Sequence, residues 1–260
     1  MPNRFACTSL LLASITLASC SHQPVSDGSY QRYMRLAGDL QKGGDMQSAA
    51  VLYEKATQEP DARLEAWLKL GEARLASGDA RAAERAYQQA LEYEPDNTAA
   101  LLGVGTAQLH QGKLNRAVTS LSQASAGNDQ PEAFNRQGVA QMLRGQPAAA
   151  QVAFIQSLAL APTNLDTQCN LALAYALDGQ SQQALQTIQT VRESPRAQAS
   201  HQRNALLVLV LSGREADLKT QRVEDITPAQ YARLLTEARR IKAIQDPAMQ
   251  ARELGMINSR

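Results

Sequence analysis

Glycine recurs along this chain at a nearly constant interval: Gly44, Gly78, Gly112, Gly145, Gly179 and Gly213 are separated by 34, 34, 33, 34 and 34 residues. A period of that length marks an array of supersecondary units, each too small to bury its own apolar face. Other positions keep the same register. Ala49, Ala83, Ala117, Ala150 and Ala184 each follow a glycine by five residues, and Ala37, Gly71, Gly105, Gly138 and Ala172 each precede one by seven. Nine residues after the glycines stand Tyr53, Tyr87, Leu121, Phe154 and Ile188, and three further on Ala56, Ala90, Ala124, Ser157 and Val191. Each unit therefore reads as helix, turn, helix. Small residues let two helices approach closely, the glycine takes the left-handed backbone between them, and the bulky residue fills the gap to the next pair. Alanine supplies 44 of the 260 residues and aromatics only 4%, which excludes a sheet protein and predicts an all-α fold.

The second unit carries the fullest pattern, with Trp67, Leu70 and Gly71 on its first helix, Gly78 at the turn, Ala83, Tyr87 and Ala90 on its second, and Pro95 closing it. This set resembles the tetratricopeptide repeat (TPR), with Arg74 where a Tyr is usual. The resemblance implies a TPR α-solenoid, a right-handed superhelix of helix-turn-helix repeats ending in a C-terminal capping helix. Repeats are expected at about 30–63, 64–97, 98–130, 131–164 and 165–198, with a degenerate sixth at 199–226, so that the array spans 30–226. The sixth keeps an apolar first helix from Ala205 to Leu211, but Leu218 and Arg222 replace the small and bulky residues of its partner. Thr227 and Pro228 then supply an N-cap and an N1 proline, followed at helical spacing by Tyr231, Leu234, Leu235, Ala238, Ile241 and Ile244. Residues 227–260 are read as a capping helix, 228–245, and a frayed tail.

At the other end, Arg4 is the sole charge before Asp27, and Leu10, Leu11, Leu12, Ala13, Ile15 and Leu17 form a short apolar run that ends in small residues. That is the layout of a secretory signal, too short for a spanning helix. Leu17-Ala18-Ser19-Cys20 resembles the lipobox of bacterial lipoproteins. The resemblance implies a signal peptide at 1–19, lipidation of Cys20 and a flexible tether at 20–29, and Ser21 resembles an outer-membrane rather than inner-membrane sorting residue. The expected location is the periplasmic face of the outer membrane of a Gram-negative bacterium. Several acyl chains anchor stably, at ~0.8 kcal/mol per buried CH₂. With Arg4 removed, 25 of the 26 basic residues face 25 acidic ones, so net charge steers partners weakly and a nucleic-acid binder is excluded. Cys7 leaves with the signal and Cys20 takes lipid, which leaves Cys169 alone and permits no intrachain disulfide.

Convergent catalytic chemistry is missing. His22 lies in the tether, and neither His110 nor His201 has a His or Cys at ligand spacing. Gly103-Val104-Gly105 begins like a dinucleotide fingerprint but falls inside a helix, and Gly112-Lys113 lacks the Walker spacing. Cys169 sits among apolar neighbours and reads as a buried, inert thiol. No enzymatic activity, metal, cofactor, small-molecule substrate or nucleic acid is expected.

A TPR array is a surface for protein partners. Its first helices line a concave groove that accepts an extended peptide or a helix. The register places toward it Glu65, Leu68, Glu72 and Leu75, then Ala99, Leu102, Thr106 and Leu109, then Glu132, Asn135, Val139 and Met142, then Asp166, Cys169, Leu173 and Ala176. Asn170, Arg203 and Asn204 add polar groups, the amides for a peptide backbone and Arg203 for a carboxylate. The partner-binding candidates are Glu65, Leu68, Glu72, Leu102, Asn135, Asn170, Arg203 and Asn204.

The end of the chain narrows the resemblance. CNLALAYALDGQSQQAL, SHQRNALLVLVLSGREADL and EDITPAQYARLLTEARRI, with a lipobox and five repeats, resemble the TadD family of lipoproteins of the tight-adherence (Flp) pilus apparatus. At TEARR the chain departs from the Asn that the family keeps in its last helix. The resemblance implies a membrane-anchored scaffold whose partners are subunits of the pilus and secretin machinery. Two alternatives stay open: an adaptor for type IV pilus secretin or outer-membrane protein assembly, and an adaptor for peptidoglycan enzymes.

Overall fold

The computed structural model describes residues 28–258 apart from Asn128, Gln221, Arg222 and Asp225. The signal segment, Cys20 and the tether up to residue 27 lie outside the described residues, as does Arg222. Helices follow one another as α1 (Ser29–Lys42), α2 (Met46–Thr57), α3 (Leu64–Ala76), α4 (Ala80–Tyr93), α5 (Thr98–His110), α6 (Leu114–Ala124), α7 (Pro131–Leu143) and α8 (Pro147–Leu160). They continue with α9 (Leu165–Leu177), α10 (Ser181–Arg192), α11 (Ala199–Leu211), a 3₁₀ turn (Glu215–Thr220), α12 (Pro228–Lys242) and α13 (Pro247–Asn258).

The periodic glycines end the first helix of every pair. All six have φ between 71° and 86°, a region closed to most L-residues. Around Gly78 the chain makes the paired bonds of a Schellman motif, Gly78 N–H to Leu75 C=O and Asp79 N–H to Arg74 C=O, and the same pair recurs at the other five. Asp79 then starts the next helix, its carboxylate accepting from the Ala82 N–H at 3.0 Å. One residue thus closes α3 and caps α4, which is why these connections are so short.

Within each pair the close approach runs through the small position. A Cβ on Gly138 would lie 2.4 Å from the Phe154 ring, one on Gly71 2.7 Å from Tyr87, and one on Gly105 2.6 Å from Leu121. Tyr87 also presses on the following repeat, 2.5 Å from where a Cβ of Gly103 would be, so its ring fills the space between two pairs. First helices of successive repeats touch (α3 with α5, α5 with α7, α7 with α9, α9 with α11), whereas no comparable contact joins successive second helices among the described residues. The stack therefore curves with its first helices on the inside, and forms a TPR α-solenoid.

The core is uneven along the array. Repeats one to three hold four small apolar clusters built largely from alanine and tyrosine. From Met142 onward one continuous cluster runs through α11, where Leu206, Leu207, Val208, Leu209 and Val210 are all buried, and on to Ala238 and Ile241 of α12. Among the described residues the sixth unit has a 3₁₀ turn where the other units have a second helix, and α12 packs against α11.

The end of the chain differs from the tail expected there. Asp246 caps the Ala248 N–H at 2.8 Å, Pro247 occupies the first turn, and residues 247–258 form α13. This helix folds back across α7 and α9.

Candidate protein-binding groove

The register of the first helices distributes the candidate residues along the inner surface in two regions. In repeats two and three, Glu65 and Glu72 are exposed on α3, with Glu72 paired to Lys69 at 2.8 Å. Leu68 packs against the cluster of Ala83, Tyr87, Val104 and Ala107, and Leu102 against Ala117, Leu121 and Ala140. Thr106 is buried and bonds its own helix at the Leu102 carbonyl, so it presents no free group to a ligand. The surface here is acidic at its edge and aliphatic at its floor.

In repeats four and five the polar candidates come together. The Asn170 amide donates to the Asn135 side-chain oxygen at 3.1 Å, joining α9 to α7. On α11 the adjacent Arg203 and Asn204 continue the line, both half-buried. Cys169, placed toward the groove by register, is fully buried under α11. Burial pushes its thiol up to about 12, aided by the Asp166 charge and opposed by a hydrogen bond with Asn204. A thiol in that state is no nucleophile at neutral pH. Asp166 reaches His201 instead, with Nε2 and the carboxylate 2.9 Å apart. His201 Nδ1 accepts from the Gln198 N–H, so the ring proton that meets Asp166 is on Nε2.

Val139, Met142 and Leu173, which the register also turns inward, are partly covered by α13. They line a cavity of about 170 Å³ together with Leu143, Phe154 and Asn170, and its roof is Ala251, Leu254 and Gly255 of α13. Sequence reasoning missed these roof residues; the signal that could have found them is Asp246-Pro247 followed by Ala248, Ala251 and Leu254 at helical spacing. Beneath the surface, polar locks tie repeat to repeat. Glu84 on α4, 7% exposed, accepts from Gln108 Nε2 at 3.0 Å, Gln111 Nε2 at 2.8 Å and Lys113 Nζ at 2.7 Å. Burial alone would raise this carboxyl, but the three donors outweigh it and hold it below the usual carboxylate range. Two repeats later, Gln151 stands at the same register and donates to Asp178 at 3.0 Å, while Gln180 donates to it at 3.3 Å. Acid and amide have exchanged places between helix and turn.

Among the described residues there is no group of three or more His, Cys, Asp or Glu that could hold a metal ion, and no helix long and apolar enough to cross a membrane.

Residues 68–133 match the family described as tetratricopeptide repeat. No curated protein matches the sequence. Among solved structures, PilW, described as a widely conserved type IV pilus biogenesis factor, is similar at a TM-score of 0.68 and 19% identity, over 81% of this chain and 98% of that one. Pseudomonas aeruginosa PilF gives 0.62 and 19% over 89% and 98%, and a tetratricopeptide repeat protein from Parabacteroides merdae 0.65 and 16% over 89% and 99%. At such identities the likeness is one of fold. TPR-type repeat proteins are in general non-enzymatic scaffolds for protein partners, and no catalytic family is indicated. The chain is a tetratricopeptide-repeat solenoid whose last helix lies against its own inner surface.

Proposed function

We propose that this protein is a non-enzymatic TPR scaffold, held by lipid on Cys20 at the periplasmic face of the outer membrane, that binds protein subunits during assembly of a Flp/Tad-type pilus secretion apparatus. The observation that carries the scaffold reading is the inner surface itself, with acidic and aliphatic side chains at repeats two and three and an amide pair, Asn135 and Asn170, beyond. Such a surface offers a peptide or helix both apolar contact and hydrogen-bonding partners. The lipobox residues before Cys20 support the anchor, and the pattern from Cys169 to Ile241 supports the tight-adherence assignment.

A second reading, an adaptor for type IV pilus secretin assembly, is favoured by the likeness to PilW and PilF. Deletion in the native host separates the two. Loss of Flp-type fibres and surface adhesion with normal growth is the result expected for the first. Loss of type IV pili with Flp fibres intact assigns the second, and a growth defect with cell-wall lesions moves the protein to peptidoglycan enzymes.

A further inference from the structure

The contact between α13 and the groove is small and incompletely filled. Of the α13 residues whose burial is described, Ala251 and Leu254 are the well-buried ones, and the small residue Ala248 meets Gly145 at the turn after α7. Between Ala251, Leu254 and the floor formed by Val139, Met142, Phe154 and Leu173 a cavity of about 170 Å³ remains, more than an added isobutyl group occupies. Its polar ties run elsewhere. Glu253 pairs with Arg240 of α12 at 2.6 Å, and Gln250 donates to the Ile241 carbonyl at 3.1 Å. Among the described residues no hydrogen bond or ion pair joins α13 to α7 or α9. A helix whose described polar bonds run to α12 and whose described groove contacts are small and apolar can leave the groove while α12 stays in place.

We propose that α13 is a built-in competitor for the groove, occupying in cis the site that an amphipathic helix of a protein partner takes by displacing it. This rests on the inner surface being the protein-binding face. The site defines the partner's chemistry: a helix with a small residue against Gly145, and one turn on an apolar side chain larger than Ala251, which fills the cavity α13 leaves. The four residues between α12 and α13 make the competition effective, because a short tether presents its ligand at an effective concentration in the mM range. Only a partner helix that fills the site better, or is itself locally concentrated, opens it.

The probe is a labelled synthetic peptide of residues 246–258 carrying Ala251→Leu, titrated into the full mature chain. Leu254→Asp, which places a charge in the apolar contact and releases α13, should bind the peptide at least tenfold more tightly than wild type does, with new amide protection in α7 and α9. Glu253→Ala, which removes only the tie to Arg240, should fall between the two and guards against misfolding of the first variant. In wild type alone, α13 amides should exchange faster than those of α7 and α9. Equal affinity for wild type and both variants, protection away from α7 and α9, or exchange of α13 only together with α7 and α9 would each overturn the proposal. So would a wild-type dimer that Leu254→Asp dissociates, which would give the site to a second copy of the chain. The pilus assignment stands or falls separately, on fibre secretion in the deletion strain.

Discussion

Gly138 and Gly38 show that the same substitution has opposite signs at two helical glycines. In α7 a Cβ on Gly138 meets the Phe154 ring at 2.4 Å, and Phe154 is itself fully buried, so the ring has nowhere to go. In α1 the nearest atom to a Cβ on Gly38 is the Tyr53 hydroxyl at 3.9 Å. Gly38→Ala should gain the helix-propensity difference, up to about 1 kcal/mol, whereas Gly138→Ala should lose about 1–3 kcal/mol to overpacking. Urea unfolding of the two variants checks both signs. Glu84 gives a pH dependence. Its carboxyl binds a proton less readily folded than unfolded, so it contributes stability above the ordinary Glu range and loses it as pH falls through its lower folded value. Glu84→Gln should flatten that part of the acid limb, and Glu84→Ala, which takes the acceptor from the buried Gln108 amide, should cost about 1–3 kcal/mol at neutral pH. Chemical denaturation from pH 7 down to 3 reads both. Cys169 should resist a thiol reagent in the native chain and react only on unfolding.

At the scale of elements, the array is built from two kinds of interface. Repeats one to three are held by alanines, tyrosines and the Glu84 lock, while α7 to α12 share a continuous aliphatic core that includes Leu206, Leu207, Val208 and Val210 of α11. Because each repeat couples mainly to its neighbours, opening should start where the apolar contact is least. Native-state hydrogen exchange is expected to find α1 and α2 opening first and α11 last, and uniform protection along the chain would contradict it. The helix pairs were legible because each full pair carries a glycine at the Schellman turn and a small residue opposite a bulky one, and all of them except α7–α8 add an Asp or Asn cap. Inner-face positions in α3 and α7 followed from the same register, since side-chain direction on a helix is set locally. The burial of Cys169 followed from its apolar neighbours, although the register turns that position toward the groove. What could not be read was the fate of the last residues, which depends on how α13 packs across α7 and α9, helices far away in sequence. The register locks show the same limit. Glu84 and Gln151 occupy equivalent sites, but only the fold reveals that their partners, Gln111 and Asp178, complete one motif with donor and acceptor exchanged.

For the whole molecule, the proposed anchor would act together with charge and groove. With basic and acidic side chains nearly balanced, long-range attraction supplies little of the encounter with a partner, and the anchor at Cys20 would instead confine the array to one membrane face, where local concentration does that work. Replacing Cys20 with Ala should therefore release the protein from the membrane fraction or leave a precursor, and should impair partner capture although no groove residue has changed. Reversing charge at Glu65 and Glu72 tests the groove with the anchor intact. Both side chains are exposed, so the substitutions should cost under about 0.5 kcal/mol of stability, leaving helical content by circular dichroism as in the wild type. Partner recovery from cross-linked envelopes should nonetheless fall for the double variant. If recovery falls for Cys20→Ala and is unchanged for the charge reversals, repeats two and three do not contact the partner, and the binding face contracts to the segment that α13 covers.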